Sequence, residues 1–401
     1  MARILDCWEI GNGLAYIEGL AISAKLLAKK GHDVRFAGRD LSHAERIFGS
    51  RIRYYQAPTQ VVPVAPHRQL RRPMNFADVL INLGLGSAGN MTARVRAWRR
   101  LFEGLKPDVV RCASAPGALL AARGTGIRTL VMGIGSLVPP NRTPLPLSRS
   151  WLKDGNDEAV AMRERQLQES MNVALDAIGA PRVAHIGALY AEADARLLFT
   201  YPELDEYGPR TDVEYLGVIQ PGTGATPQWP DVPGKRIFAY LEAYEGISVL
   251  LETLAATHLP VLVYMAHAPE SLLQRHAGSN LRIVTQPVNV VQAVALCDFG
   301  VSHGSHQIAA SFLAAGKPQL AVPALLPERV IAERLAAAGV AGYSRLRADE
   351  IAQQLDRLRQ DASLDERARA VASRVAALTL EQAVTRTIGI VEQLAAAGLR
   401  N

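Results

Sequence analysis

The sequence is most constrained by a regular alternation of short apolar runs with helical patterns, which begins at the first residues. Ala2–Trp8 is an apolar run, and a Gly-rich turn separates it from a segment in which Leu20 and Leu27 belong to a helical repeat. Gly31 ends that repeat, and His32–Gly38 is the next apolar run. Strand, helix and strand in this order form a βαβ unit, which predicts a parallel sheet.

The alternation continues through the first half of the chain. The further elements predicted there are strands at Ile52–Gln56, Asp108–Cys112, Thr129–Gly133 and Arg196–Thr200, and helices at Val95–Leu105 and Asp157–Ile178. Two stretches without clear periodicity, Pro58–Arg72 and the Pro-rich Leu137–Ser150, are predicted to be loops. Long loops of this kind often line a binding site.

A stretch rich in Pro, Gly and Thr, Gln220–Pro230, is the predicted domain boundary. Beyond it the pattern restarts, with strands at Arg236–Leu241, Val261–Ala266, Leu281–Thr285, Phe299–His303 and Gln319–Val322, and helices at Ile247–Ala256, Glu270–His276, Val290–Leu296, Ser305–Ala315, Glu328–Ala338, Asp365–Ala376 and Leu380–Ala396. We therefore predict an α/β protein with two doubly wound, Rossmann-like domains. They comprise residues 1–220 and 231–379, are joined by a linker at 221–230, and face each other across a ligand-binding cleft.

Length and composition agree with this organisation. The chain has 401 residues, of which 49% are hydrophobic and 20% charged, which is typical of a globular protein with two domains. No apolar run is long enough to cross a membrane. Asp6 and Glu9 interrupt the apolar stretch of residues 1–13, which favours a strand over a signal peptide, and three widely separated cysteines favour buried, reduced thiols. These features predict a cytoplasmic protein.

The net charge of +6 is carried mostly by arginines that are scattered among acidic residues. This distribution does not favour nucleic-acid binding, and its sign suits an anionic small molecule equally well. No sequence pattern indicates a bound metal, and the oligomeric state is left open, with a homodimer as one option.

The segment from Phe299 to Pro318 carries the strongest chemical signal. An apolar strand ends near His303, Gly304 allows a close approach of the backbone, and a helix begins at once after it. The start of a helix exposes unpaired N–H groups and the positive end of the helix dipole, so that a phosphate can bind there without a lysine. Ser305 can cap this helix, and the imidazole of His303 adds a donor beside the same anion.

The whole window resembles the donor-binding segment of nucleotide-sugar glycosyltransferases of the UDP-glucuronosyltransferase and macrolide-glycosyltransferase type. The matches, in order and spacing, are Cys297-Asp298, His303-Gly304, Ala315-Gly316-Lys317-Pro318 and Pro323. The resemblance is strong over Leu281–Ala338 and weaker in the first half. It implies that the donor diphosphate lies at the start of the Ser305 helix, on His306 and Gln307, and that the backbone of Val288 holds the base.

Several positions depart from the family pattern. The second Gly is Ser305, the hydroxyl residue beside the phosphates is Ile308, and the Glu that holds the ribose is Ser311. The backbone amides of the helix start must then bind the phosphates. The Asp-Gln pair that grips the sugar reads Pro327-Glu328, so that Glu328 keeps an acceptor for sugar hydroxyls but changes the charge.

The Gly-rich turn of the first domain, Gly11-Asn12-Gly13, resembles the family's first turn. The position of the family's catalytic His, which acts as general base on the acceptor hydroxyl, falls on Tyr16. A phenol is a poor base at pH 7. Either Tyr16 only shapes the pocket, or Glu18, Glu9 or Asp6 takes the proton, or no base is needed.

A second glycine motif, Gly84-x-Gly86-x-x-Gly89, matches a dinucleotide fingerprint. The residues before it have helical spacing and the fingerprint requires a strand, so we interpret it as a loop that ends a helix, and an NAD-dependent oxidoreductase is not favoured.

Taken together, the resemblance implies a GT-B architecture, in which a C-terminal helix at residues 380–401 packs back on the first domain. The implied activity is inverting, hexosyltransferase-like transfer from a UDP- or dTDP-sugar to a hydrophobic small-molecule acceptor, without a metal or other cofactor. Two alternatives remain: a catalytically degenerate protein that binds a nucleotide or a partner, and an epimerase or hydrolase that acts on a nucleotide sugar.

Overall fold

The structure, a computed structural model, describes residues 1–11, 14–59, 64–149, 151, 157–218, 222–276 and 280–398, with the side chains of residues 14–16 left out. The contacts divide the chain into two compact units. The first unit comprises Met1–Phe199, Arg210–Leu216 and Glu381–Asn401, and the second comprises Thr200–Pro209 and Gly217–Leu380.

The first unit contains a parallel sheet of seven strands in the order β3-β2-β1-β4-β5-β6-β7. The strands are β1 (Arg3–Trp8), β2 (Asp33–Gly38), β3 (Arg53–Gln56), β4 (Val109–Ala113), β5 (Arg128–Gly133), β6 (Ala195–Leu198) and β7 (Glu214–Tyr215). Every residue of β4 is buried, as expected for a central strand covered by helices on both faces.

The helices of this unit connect and cover these strands. They are α1 (Leu14–Lys29), α2 (Ala44–Phe48), α3 (Phe76–Leu80), α4 (Ala88–Leu105), α5 (Pro116–Ala122), α6 (Asp157–Asp176) and α7 (Ile186–Ala191). A π-helical turn, Ile81–Leu85, follows α3 and ends where Gly84 adopts a φ of +85°. Gly84 and Gly86 thus lie where a helix ends, as interpreted, whereas Gly89 lies in the first turn of α4.

The second unit contains a parallel sheet of six strands in the order β10-β9-β8-β11-β12-β13. The strands are β8 (Ile237–Tyr240), β9 (Val261–Tyr264), β10 (Leu281–Val284), β11 (Phe299–Ser302), β12 (Gln319–Ala321) and β13 (Ala341–Tyr343). The helices are α8 (Ile247–Ala255), α9 (Glu270–Arg275), α10 (Val290–Leu296), α11 (His306–Ala314), α12 (Leu326–Ala337), α13 (Ala348–Gln360) and α14 (Ala362–Val375). The prediction of two doubly wound α/β units is confirmed.

The last helix, α15 (Leu380–Gly398), belongs to the first unit. Ala383 and Val391 on this helix pack in the same apolar cluster as Ile4 of β1 and Leu197 of β6. The salt bridge between Arg386 and Glu214 of β7 lies at the surface of the same unit.

Among the described residues, the cysteines Cys7, Cys112 and Cys297 are buried and form no disulfide. Burial raises the pKa of the Cys297 thiol to about 12, so that this thiol is protonated at neutral pH. In the same part of the chain, no helix combines the length and apolarity needed to cross a membrane.

Candidate functional site

The carboxyl ends of the second unit's strands align in one row. The pairing register connects Val284, Tyr264, Tyr240, Ser302, Ala321 and Tyr343 across six strands. The strand order changes direction between β8 and β11, because β9 and β10 extend the sheet to one side and β12 and β13 to the other. In open α/β sheets, ligands bind at the carboxyl edge where the order reverses. The turn predicted to bind phosphate leaves β11 at this point.

Gly304 lies at the apex of that turn, at a position where a side chain would be strained. Its φ is +92°, in the left-handed region that glycine adopts without strain. A Cβ atom at this position would lie 3.0 Å from the carbonyl oxygen of Glu328. The backbone of the turn is thus packed directly against the first turn of α12.

The helix α11 begins immediately after the turn, with Ser305 at the N-cap position. The side chain of Ser305 makes no capping hydrogen bond, contrary to the capping role that the sequence allowed. Ala309 N is the first amide that donates back to Ser305 O, at 3.1 Å. A helix start in general lacks intrahelical acceptors for its first N–H groups and carries the positive end of the helix dipole. This helix start is suited to bind an anion.

His303 is buried next to the helix start and is oriented by the neighbouring strand. Its Nδ1 lies 3.3 Å from the carbonyl oxygen of Tyr240, and its ring centroid is 5.9 Å from the ring of Tyr240. A carbonyl oxygen can only accept, so Nδ1 carries the proton. Nε2 therefore accepts a hydrogen bond in the neutral imidazole and donates one only in the imidazolium.

His306, the first residue of α11, is held by Thr200. Its Nε2 lies 2.6 Å from Oγ1 of Thr200, which is fully buried. Burial lowers the pKa of His306 to about 4, so that the ring is neutral at pH 7.

This burial predicts a pH dependence of stability. In the unfolded chain, His306 becomes protonated below pH 6.5, the ordinary pKa of histidine. In the folded protein it stays neutral until the pH reaches about 4. The free energy of unfolding should therefore decrease as the pH falls through this window, by up to about 3 kcal/mol from this residue. Melting temperatures between pH 7.5 and 4.5 measure the effect. His306→Gln should show a smaller decrease than wild type, whereas His67→Gln, at an exposed histidine, should match wild type; equal slopes for all three would contradict the assignment.

The side chains of Ile308 and Ser311 face inward. Ile308 packs with Val288 and Phe312 in an apolar cluster, and Ser311 Oγ donates to Gln307 O at 3.0 Å within the helix. Ile308 can therefore contact a phosphate only through its backbone amide, as the sequence predicts. Ser311 is buried, and its hydroxyl is already bonded within the helix.

Val288 lies on a segment that is joined to Ala225 by a parallel bridge. Ala225 N donates to Pro287 O at 2.8 Å, and Asn289 N donates to Ala225 O at 2.9 Å. Neither bond uses the N–H or C=O of Val288. Gly224 packs against this backbone, since a Cβ atom on Gly224 would lie 2.8 Å from Val288 O, and the role of Val288 in holding a base stays a prediction.

Glu328 is buried at the third position of α12. Its Oε2 accepts hydrogen bonds from the amides of Ala324 and Leu325, at 2.9 and 2.8 Å. The carboxylate therefore caps its own helix through one oxygen, and Oε1 is the atom left for a ligand.

The first unit contains the other predicted site. Gly11 has a φ of +96°, and its carbonyl oxygen accepts from Arg39 Nη1 at 3.0 Å. Asn12, Gly13 and the side chain of Tyr16 lie outside the described part of the structure. Glu18 is exposed, 4.0 Å from Arg46 Nη2.

Asp6 and Glu9 are both engaged by buried arginines. Arg111 binds both oxygens of Asp6 at 2.5 and 2.6 Å, and this pair is completely buried. Glu9 accepts from Arg94 Nη1 and from Gly117 N, each at 2.7 Å. Neither carboxylate faces a substrate, so neither is positioned to act as the general base.

A cavity of about 330 Å³ opens elsewhere, at the amino ends of β5 and β6 in the first unit. Arg123 lines it and already donates to Pro181 O, Arg182 O and Glu192. The guanidinium group of Arg123 is thus already bonded within the protein. Among the described residues, no cluster of His, Cys, Asp or Glu side chains could hold a metal ion.

Solved structures with this architecture are numerous, whereas no protein-family model and no curated sequence matches the chain. The calicheamicin glycosyltransferase CalG4 covers 98% of this chain over 98% of its own length, with a TM-score of 0.72 and 16% identity. The glycosyltransferase of kitacinnamycin has a TM-score of 0.68 at 17% identity, covering 98% of this chain and 99% of its own. The chain has the GT-B fold.

A third GT-B structure, SsfS6 from Streptomyces sp. SF2575 in complex with thymidine diphosphate, covers 98% of this chain and 100% of its own, with a TM-score of 0.60 and 18% identity. Both Rossmann-like halves of the GT-B fold are thus present at close to full length. At these identities the likeness is one of architecture, and the chemistry depends on the residues of this chain.

Proposed function

We propose that this protein transfers a sugar, with inversion, from a nucleoside-diphosphate sugar to a hydroxyl or other nucleophile of a hydrophobic small molecule. The observation that carries the proposal is the turn at Gly304, at the point of the second sheet where the strand order reverses, followed at once by the start of α11. The GT-B fold supports the same conclusion, because the similar solved structures named above are glycosyltransferases and one of them was solved with thymidine diphosphate.

In the proposed reaction, the acceptor oxygen attacks the anomeric carbon, the bond to the diphosphate breaks with inversion, and the acceptor's proton passes to water or to the departing diphosphate. Negative charge develops on the leaving diphosphate, where the amides and the dipole of α11 stabilise it. His303 adds a charge-assisted hydrogen bond when Nε2 is protonated, since Nδ1 is committed to Tyr240 O. No metal is required by this arrangement.

The acceptor is proposed to bind along the loops of the first unit. Glu164, which is buried on α6, accepts from Leu145 N at 2.9 Å and from Asn75 Nδ2 at 3.1 Å. It also accepts from Thr143 Oγ1, at 3.2 Å. One buried carboxylate thus holds the Pro-rich loop and the segment before α3 in place, which supports a preformed acceptor surface.

A non-catalytic protein that binds the nucleotide is the second candidate. It is favoured by the arginine partners of Asp6 and Glu9, which remove two candidate bases, and by Tyr16 in place of a histidine. An acceptor that is already acidic, such as a phenol, needs less help from a base, and this keeps transfer compatible with the same residues.

Incubation with UDP-glucose and dTDP-glucose, together with a panel of phenolic and aliphatic alcohol acceptors, tests the proposal. We expect at least one nucleoside diphosphate to raise the melting temperature and its sugar to be transferred with inversion, detected by mass spectrometry and by NMR of the product. A rise in melting temperature without turnover would favour the non-catalytic candidate. Donor breakdown without an acceptor product would indicate a hydrolase, and no shift with any nucleotide would exclude all three.

A further inference from the structure

The loop that follows β8 contains a buried hydroxyl that the protein itself does not satisfy. The hydroxyl oxygen of Tyr244 is buried and has no hydrogen-bond partner among the described residues. Its ring packs against the apolar cluster of the second unit, and its backbone oxygen accepts from Ile247 N at 3.2 Å. A buried hydroxyl without a partner is costly, so such a group normally bonds to something that the chain does not supply.

Tyr244 lies at the same place in the fold as the anion-binding turn. Tyr244 lies four residues after Tyr240, the last residue of β8, which is the strand next to β11. The carbonyl oxygen of Tyr240 is the partner of His303 Nδ1. Burial raises the pKa of Tyr244 to about 12, and the negative charge of Glu328 contributes to that rise. The carbonyl oxygen of Glu328 in turn lies against Gly304. Tyr244, in the loop that leaves β8, and Gly304, in the turn that leaves β11, therefore belong to neighbouring connections at the carboxyl edge of the sheet, and Glu328 packs against the second of them.

The hydrogen-bonding groups of Tyr244 and Glu328 suit one part of a nucleotide sugar better than the others. Tyr244 offers a neutral O–H donor, and Glu328 offers the acceptor Oε1, because Oε2 is occupied by two amides. A carboxylate repels a phosphate at close range, whereas a donor beside an acceptor matches a sugar hydroxyl, which both accepts and donates. The diphosphate is better served by the start of α11.

We propose that Tyr244 binds a hydroxyl group of the donor sugar, together with Glu328, and so selects donors that carry a hydroxyl at that position. The proposal rests on the proposed function, since it assigns a further specificity-determining residue to the same site. Tyr244 acts on the sugar and not on the nucleotide, and this separates its effect from that of the turn at Gly304.

Titration calorimetry tests whether Tyr244 binds the sugar. Wild type, Tyr244→Phe and Tyr343→Phe are each titrated with four probes: UDP, UDP-glucose, dTDP and dTDP-glucose. The first variant keeps the ring, and the second removes a phenol from the end of β13 as a matched control. Tyr244→Phe should bind the nucleotide within twofold of wild type and bind the nucleotide sugar about tenfold more weakly, the loss expected for one hydrogen bond to a buried group. Tyr343→Phe should match wild type for all four probes.

Two outcomes would overturn the inference while leaving the proposed function intact. One is unchanged affinity of Tyr244→Phe for both nucleotide sugars in a protein that binds them. The other is an equal loss for nucleotide and nucleotide sugar, which would place Tyr244 at the diphosphate or give it only a structural role. Failure of wild type to bind any of the four probes would instead reject the proposed function, and the inference with it.

Discussion

Arg111→Met should lower the free energy of unfolding of the first unit by about 3–5 kcal/mol, the usual result of leaving one charge of a buried pair without its partner. Arg111 and Asp6 are both completely buried, and Ser23 Oγ lies 2.7 Å from the third nitrogen of the guanidinium. The variant removes all of these bonds and leaves Asp6 buried without its partner, where burial raises the pKa of this carboxyl further. Denaturant unfolding followed by tryptophan fluorescence measures the change, since Trp8 and Trp98 lie in this unit.

Arg386→Met is the matched control. Its pair with Glu214 is exposed, with half of the arginine side chain in solvent, so the cost should be below about 1 kcal/mol. Combining Asp6→Asn with Arg111→Met removes the stranded charge and should recover part of the loss. A cost for Arg111→Met no larger than that for Arg386→Met would show that the buried pair does not stabilise the fold.

Gly304→Ala should reduce the affinity for nucleoside diphosphates at least about tenfold. The methyl group would meet the carbonyl oxygen of Glu328 at 3.0 Å, and the φ of +92° is unfavourable for alanine by about 1–2 kcal/mol. Because the turn sets the position of the first amides of α11, any shift that relieves the contact displaces the anion site. Binding is measured by calorimetry at fixed salt concentration.

Gly31→Ala provides the control for backbone strain alone. Its φ of +93° is nearly the same, but a Cβ atom there has no neighbour within 4 Å. We expect the two variants to lose similar stability from strain, whereas only Gly304→Ala loses nucleotide affinity. Equal affinity of wild type and Gly304→Ala would place the phosphates somewhere else.

The architecture was predictable because the buried strands of a parallel sheet and the helices between them have distinct patterns in the sequence. Buried strands such as β4 and β11 read as short apolar runs, and glycines such as Gly31 and Gly316 mark the helix ends between them. The helix α13 was missed although Ile351, Leu355 and Leu358 recur with helical spacing. The strands β7 and β13, of two and three residues, carry too little pattern to be recognised.

The site was predictable only where its residues are neighbours in sequence. His303, Gly304 and the start of α11 form one continuous segment, so a single motif revealed them. By contrast, Asp6 and its partner Arg111 are separated by 105 positions, and a sequence does not show which distant arginine neutralises an acidic residue in a strand. Thr200, which holds His306 from 106 positions away, escaped notice for the same reason.

The proposed diphosphate site is tested most directly by a crystal structure of the protein with the nucleoside diphosphate that binds best. We expect phosphate oxygens within hydrogen-bond distance of the backbone amides at the start of α11, beside His303 and Gly304. Well-ordered phosphates bound away from this helix start, with the turn at Gly304 unoccupied, would contradict it.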